Sequence, residues 1–315
     1  PRASVIINNG KAYSLGTMGH FFCFDAETGK VLWQKDLNTE YEIKMPIWGI
    51  ASTPLIVDEK IIVHVSGSNN ASVVAFNKNN GNEIWRNLDD RAGYSAPILI
   101  EKDGKQVVVN WTEHSLSGLN VETGEVYWRF PWQTGSGMSI ATPVLYNHHV
   151  FVSAFYSGSL LIKLGDDYTT AEKVWQRSGE SERKTDALHC VMNTPVIIDN
   201  FIYGVDSYGE LRCLEFGTGD RVWEDQTAVK RARWANIHFV QNANKIWMFN
   251  EQGELIISEL SPKGFKEISR AKIIEPTKEQ LPRGVTWSHP AFANKHVFIR
   301  NDNTLICVGL SKKQY

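Results

Sequence analysis

The sequence predicts an all-β protein, a β-propeller of four-stranded antiparallel blades with seven blades visible. Three observations predict it. A turn phrase ending in tryptophan recurs along the chain. A small-residue–proline phrase opens each unit, and no stretch holds a sustained 3.6-residue apolar period. The turn phrase first reads FDAETGKVLW, with Asp25, Gly29 and Trp33. It returns as FNKNNGNEIW (Asn77, Gly81, Trp85), LNVETGEVYW (Asn120, Gly124, Trp128) and LEFGTGDRVW (Glu215, Gly219, Trp223). LGDDYTTAEKVW keeps Trp175 without the glycine, and LSPKGFKEI keeps Gly264 but puts Ile268 where tryptophan is expected.

The opening phrase is STPLIV, SAPILI, ATPVLY, NTPVII and SHPAFA, with weaker copies RASVII and WANIHF. Blades therefore start near 4, 54, 97, 143, 195, 236 and 290, about 48 residues apart, a spacing that fits propeller repeats. Residues 1–315 are expected to be one propeller domain. Within the fifth unit, PVIID, FIYGVD, LRCLE and RVWED read as four strands, separated by turns at IDN, SYGE and EFGTGD. Short strands rich in Val, Ile, Tyr, Phe and Trp between such turns form antiparallel hairpins. The glycine supplies a positive φ before the outermost strand, and the tryptophan beyond it lays its ring on the neighbouring blade. Trp33, Trp85, Trp128, Trp175 and Trp223 are therefore read as packing residues.

The phrase resembles the tryptophan-docking repeat of the PQQ-like β-propellers, a superfamily holding quinoprotein alcohol dehydrogenases and the BamB-like outer-membrane assembly lipoproteins. The resemblance runs from Ser4 to Leu310 and is nearest to the BamB-like branch. It implies a propeller fold and an exported compartment, periplasmic or secreted. The motif is structural, so it carries little about activity. The PQQ-binding branch implies a vicinal disulfide and a calcium held by carboxylate and Asn. No Cys-Cys pair and no acidic cage stand in this sequence, so neither PQQ nor a metal is expected.

The seventh unit, HPAFANKHVFIRNDNTLICVGL, supplies three strands before SKKQY. Two readings stay open: a short last blade, or a closing strand, with room for an eighth blade, from residues before Pro1. The chain starts at Pro1 with neither Met nor a signal peptide, which fits a removed leader or a trimmed chain.

Composition narrows the function classes. The 315 residues carry 33 Lys and Arg against 35 Asp and Glu, a net charge of −2, and 42 % are apolar. That supports a large core and excludes intrinsic disorder. It gives no long-range pull toward nucleic acid. No apolar run approaches the ~18–20 residues of a membrane span. Cys23, Cys190, Cys213 and Cys307 form no C-x-x-C or C-x-x-C-H motif. FFCFD, LRCLE and LICVG place three of them at one apolar position of a repeated strand.

In a four-stranded blade, the connection to the next blade and the turn between strands 2 and 3 share one face, here called the top. The top-face segments carry the candidate ligand-binding residues: Trp48, Arg91, Tyr94, His114, His189, Arg233, Trp234, Arg283, Trp287 and His289. Arginine with interleaved aromatics suits an anionic or sugar-like ligand, while a protein partner is expected on edge strands or loops. Acidic neighbours such as Asp89, Asp90, Glu180, Glu182 and Asp186 also allow a plain solvated rim. No catalytic residue is assigned. The leading expectation is a non-quinone scaffold with a protein partner. The alternative is a carbohydrate-active enzyme on acidic sugars, and a PQQ-dependent dehydrogenase ranks third. His148-His149 sits on a bottom-face hairpin tip and is discounted as a metal pair. Cys190 beside His189 is read as a buried thiol.

Overall fold

The structure, a computed structural model, describes residues 2–311. The described residues form seven antiparallel sheets, and the fold class is the β-propeller. Strand order within each sheet follows the chain, so each sheet is a simple meander. The sheets fall in two compact units, Pro1–Gln176 and Arg177–Tyr315.

The first unit holds four blades. Blade 1 is β1 (Ile6–Asn8), β2 (Lys11–Leu15), β3 (His20–Asp25) and β4 (Val31–Asp36). A five-residue helix, α1 (Leu37–Tyr41), follows it, its first turn capped by the Asp36 carboxylate. Blade 2 is β5 (Leu55–Val57), β6 (Lys60–Gly67), β7 (Ala71–Asn77) and β8 (Glu83–Asn87). Blade 3 is β9 (Ile98–Lys102), β10 (Lys105–Trp111), β11 (Ser115–Asn120) and β12 (Val126–Pro131). Blade 4 is β13 (Val144–Tyr146), β14 (His149–Ala154), β15 (Gly158–Leu164) and β16 (Ala171–Arg177).

The second unit holds three blades. Blade 5 is β17 (Val196–Ile198), β18 (Phe201–Val205), β19 (Leu211–Glu215) and β20 (Arg221–Asp225). Blade 6 is β21 (Ile237–Asn242), β22 (Lys245–Asn250), β23 (Glu254–Ser261) and β24 (Gly264–Lys272). Blade 7 is β25 (Ala291–Ala293), β26 (His296–Arg300) and β27 (Leu305–Gly309), with three strands among the described residues.

Local chemistry sets the turns. The hairpins opening several blades use two residues with positive φ, as at Asn9-Gly10, Asp103-Gly104 and Asn147-His148. This is the turn whose twist matches paired strands. It places His148 in the turn and His149 on β14, as a hairpin tip requires. In the recurring phrase, the Asp25 carboxylate accepts from the Thr28 N–H (2.8 Å) and hydroxyl (2.6 Å). Asn120 does the same for the N–H groups of Glu122 (2.7 Å) and Thr123 (3.0 Å), and Glu215 for that of Thr218 (2.7 Å). The first residue of the phrase thus folds its own turn.

The cores lie between neighbouring sheets. One cluster joins Tyr13, Leu15 and Phe21 of blade 1 to Ile61, Val63 and Phe76 of blade 2. Another joins Val205 and Leu211 of blade 5 to Ile237, Met248 and Ile256 of blade 6. Interior strands are covered on both faces, and β6 is buried along its whole length. Cys23 and Cys213 sit in such cores. Cys307, at the matching position of β27, is exposed, because no fourth strand covers it among the described residues.

Each of four docking indoles bridges to the next blade through its N–H, and two do so through the ring as well. Its N–H donates to a backbone carbonyl: Trp33 to Lys78 (3.0 Å), Trp85 to Val121 (2.8 Å), Trp128 to Tyr168 (3.0 Å) and Trp223 to Ser261 (2.9 Å). In the first two cases its ring also lies on the glycine of the next blade's turn. A Cβ on Gly81 would stand 3.0 Å from Trp33, and one on Gly124 would stand 2.5 Å from Trp85. Those glycines therefore serve both a positive φ and a close approach.

Strand register corrects one assignment. Trp33, Trp85, Trp128 and Trp223 pair with Cys23, Ala75, Gly118 and Cys213, each just after a bulged residue. In blade 6 the bulge falls at Ile268, and Ser269 pairs with Ile257. The tryptophan position is thus held by Ser269. Ile268 matches the residue before each tryptophan and is exposed.

Gly29 and Gly124 separate the two roles of glycine. Gly29 has φ +71° with nothing near its side-chain position, whereas Gly124 has φ +73° under an indole. Gly29→Ala is expected to cost about 1 kcal/mol from the left-handed backbone alone. Gly124→Ala is expected to cost about 2–4 kcal/mol, because overpacking against Trp85 adds to it. Urea denaturation of the two variants checks the difference.

Candidate functional site

In the first unit the top face gathers Trp48, Arg91, Tyr94 and His114. The segment after α1 turns at Gly49 (φ +72°), whose N–H donates to Pro46 (2.8 Å), and Ile50 N–H donates to Thr17 (2.8 Å). A Cβ on Gly49 would stand 2.6 Å from the Thr17 carbonyl, so glycine lets this segment seat on the β2–β3 turn. That seating pushes Ile47 and Trp48 outward, 77 % and 38 % exposed. The Trp48 ring meets Tyr94 edge-on at 5.4 Å, and the Trp48 backbone N–H donates to the Tyr94 hydroxyl at 3.4 Å. Arg91 lies 3.9 Å from Glu113, whose backbone N–H donates to the Arg91 carbonyl (3.0 Å). His114 stands 3.8 Å from Asp90 and 4.0 Å from Glu113.

Below this patch lies a closed polar network. Asp90 is buried and accepts from the Thr112 hydroxyl (2.7 Å), the Ser115 hydroxyl and the Arg129 guanidinium. An ionised carboxylate so enclosed is held by its partners and is not free to act on a ligand.

In the second unit Arg233, Trp234, Arg283, Trp287 and His289 come together. Arg233 grips Glu182 with two N–H groups, at 2.8 and 2.6 Å, and lies over the Trp234 ring at 4.3 Å. Arg283 holds Glu251 at 3.0 and 3.1 Å and also donates to the Arg233 carbonyl (2.9 Å). The Trp287 indole N–H donates to the same Glu251 carboxylate at 2.9 Å. Glu182 also accepts from the Tyr208 hydroxyl (2.8 Å), and the cations of Arg183 and Arg231 lie over the Tyr208 ring at 5.8 and 5.2 Å. The Arg233 guanidinium holds the Glu182 carboxyl below its ordinary range. The His289 ring lies tilted against buried His238, with ring centres 3.7 Å apart.

His189 stands apart from that group. It is buried, its ring nitrogen accepts from Gly179 N–H (3.2 Å), and its backbone N–H donates to Asp206 (2.7 Å). Asp206 in turn holds buried Arg212 at 3.0 Å, and Arg212 reaches the Ala187 carbonyl at 3.0 Å. These groups pin the segment between blades 4 and 5, so His189 supports the loop and offers nothing to a ligand. Cys190 is likewise buried.

Glu251 is the residue that sequence reasoning missed. It follows Asn250 in the strand 2–3 turn of blade 6, the counterpart of Glu113 in blade 3 and of Ser207 in blade 5. That equivalence was the available signal. Its presence changes the chemistry: Arg233 and Arg283, on which the acidic-sugar reading leaned, are each engaged by a carboxylate. Among the described residues, no group of three or more His, Cys, Asp or Glu is placed to hold a metal ion. The four cysteines form no disulfide, and among the described residues no helix is long and apolar enough to cross a membrane.

Two buried imidazoles give a pH signature. His64 faces the Asn110 amide oxygen on the neighbouring blade, and burial pushes its pKa down from 6.5 to about 4. Burial, with His289 alongside, pushes that of His238 down to about 3. The folded state therefore favours the neutral rings. Their contribution is fully present above about 6.5, the unfolded value, and is lost as pH falls toward about 4. The urea midpoint is expected to fall steadily from pH 7 to pH 4.5. Nuclear magnetic resonance of the two rings should show them neutral at pH 5.5, and an imidazolium there would contradict this.

Comparison with known proteins agrees with the strand-by-strand picture. The family described as outer membrane protein assembly factor BamB matches residues 2–225. The chain is 24 % identical over 243 residues to the outer membrane protein assembly factor BamB of Yersinia pestis, covering 74 % of this chain and 57 % of that protein. It is 30 % identical over 144 residues to the quinoprotein alcohol dehydrogenase PedH of Pseudomonas putida, covering 42 % of this chain and 23 % of PedH. Among solved structures, BamB from Moraxella catarrhalis aligns with a TM-score of 0.67 at 17 % identity, covering 100 % of this chain and 84 % of that one, a likeness of fold. This chain belongs to the BamB family of PQQ-like β-propellers.

Proposed function

We propose that the chain is a non-catalytic interaction scaffold of an exported compartment, periplasmic or secreted, and that its top-face patches bind a protein partner. The observation that carries this reading is the state of the arginines. Arg233 is fixed by Glu182 over the Trp234 ring, and Arg283 is fixed by Glu251, which also accepts from the Trp287 indole N–H. Rigid arginine–aromatic surfaces of this kind form the energetic centres of protein interfaces. The first unit adds exposed Ile47 and Trp48, braced by Tyr94. No nucleophile or free general base stands among them. The relatives named as outer membrane protein assembly factors support a partner from the bacterial envelope, of the outer-membrane assembly kind.

Affinity capture from solubilised envelopes tests this. The unaltered chain is expected to recover a defined envelope protein. Ile47→Ser with Trp48→Ala, or Arg233→Glu, is expected to weaken recovery at least about tenfold, as for interface centres. Thermal stability of the Ile47→Ser, Trp48→Ala variant should change little, since surface substitutions usually lie within about 0.5 kcal/mol. Equal recovery by both variants would overturn the assignment of the top face.

A further inference from the structure

The second unit carries its top-face charges in two tiers, acids below and guanidiniums above. The Glu210 side chain is 10 % exposed against 58 % for Arg231, and that of Glu251 is 3 % exposed against 31 % for Arg283. An acid held beneath the surface fixes its arginine and leaves the outward face cationic.

Two of these arginines share one ring. The Arg183 Nε–H donates to the Tyr208 hydroxyl (3.2 Å), the Arg231 Nε–H donates to Glu210 (3.2 Å), and both cations lie over the Tyr208 ring. Glu210 also accepts from the Tyr208 backbone N–H (3.0 Å). Arg183 stands at the tip of a tight turn whose ends, Ser181 and Lys184, exchange backbone hydrogen bonds at 3.5 and 3.1 Å. The Ser207 hydroxyl pins that tip through the Glu182 carbonyl (2.6 Å). Each guanidinium is held by its Nε edge, which leaves its terminal nitrogens facing outward. Among the described residues, Arg183 and Lys230 pair with no carboxylate. From Lys230 the surface runs into an open groove of about 410 Å³, walled in part by Gln226, Gln252, Arg270 and Lys272. Arg270 is engaged by Glu254 (2.8 Å) and Lys272 by Glu275 (3.0 Å), so Lys230 brings the uncompensated charge.

We propose that this face binds an acidic segment displayed by a partner protein, its carboxylates meeting the terminal nitrogens of Arg183 and Arg231 and the Lys230 ammonium. The inference rests on the reading of the top face as a protein-binding surface and names the chemistry that one part of it selects. Guanidinium forks already held in place take a carboxylate by two hydrogen bonds with little further ordering. The groove beyond Lys230, with the amides of Gln226 and Gln252, gives the backbone of such a segment a path.

Fluorescence anisotropy with a labelled Glu-Asp-Leu-Glu-Asp-Leu-Glu peptide tests the proposal. One peptide is expected to bind per chain, at least about fivefold more weakly when salt rises from about 50 to about 300 mM. The amide counterpart, Gln-Asn-Leu-Gln-Asn-Leu-Gln, should not bind. Arg183→Gln with Arg231→Gln should weaken binding at least about tenfold. Arg183→Gln alone breaks no ion pair; it should weaken binding at least about threefold at an unchanged melting temperature, and it serves if the double variant does not fold. No binding by the unaltered chain at millimolar peptide would overturn the proposal. So would equal binding of the amide peptide, undiminished binding by the folded variants, or tighter binding of phosphatidylglycerol vesicles than of the peptide. Any of these leaves the scaffold reading standing as long as Ile47→Ser with Trp48→Ala still weakens envelope capture.

Discussion

The contact on which the structure depends is an indole laid across a blade boundary with its N–H on a backbone carbonyl. Among the described residues neighbouring sheets share no strand pairing, so side-chain packing and scattered hydrogen bonds join them. Apolar burial supplies most of that adhesion, but it has no direction. The indole N–H adds direction, because a buried donor must meet an acceptor. Trp33, Trp85, Trp128 and Trp223 each fix one turn of the next blade this way. The glycines at Gly81 and Gly124 let the ring approach closely enough to do it.

Fixing one end of a blade positions the other. The bottom turns are self-folded by Asp25, Asn120 and Glu215 and clamped by indoles, which leaves the top-face segments to be shaped separately. They are shaped by buried charge. Asp90 with Arg129, and Asp206 with Arg212, hold the segments from beneath, and exposed pairs such as Arg233–Glu182 stiffen the surface above. Because the guanidiniums of Arg233 and Arg283 are already engaged by carboxylates, these segments support the proposed recognition of a folded surface over capture of a free anion.

The fold was legible because its determinants are local. The turn-capping residue, the glycine and the tryptophan lie within nine positions of one another, and each does one physical job at that spacing. Ser269 escaped for a related reason: counting from Gly264 reaches Ile268, and only the ladder shows that the bulge has moved the pairing by one residue. The candidate site was half legible. Residue types and the face they occupy followed from strand topology, which brought Trp48, Arg91, Tyr94 and His114 into one group and Arg233, Trp234, Arg283, Trp287 and His289 into another. Pairings across blades did not follow, because Arg233 meets Glu182 at a separation of 51 residues and Arg283 meets Glu251 at 32. His189 shows the converse case, a loop histidine whose ring and backbone are both used to hold the loop.

Equilibrium urea unfolding of three tryptophan variants tests the central claim most directly. Trp85→Leu and Trp223→Leu each remove a bridging indole and are expected to cost about 2–4 kcal/mol. Trp48→Leu removes an exposed ring whose indole N–H clamps no turn of a neighbouring blade and should stay within about 0.5 kcal/mol. Equal, small losses for all three would show that the blades cohere without indole bridges and would contradict the account.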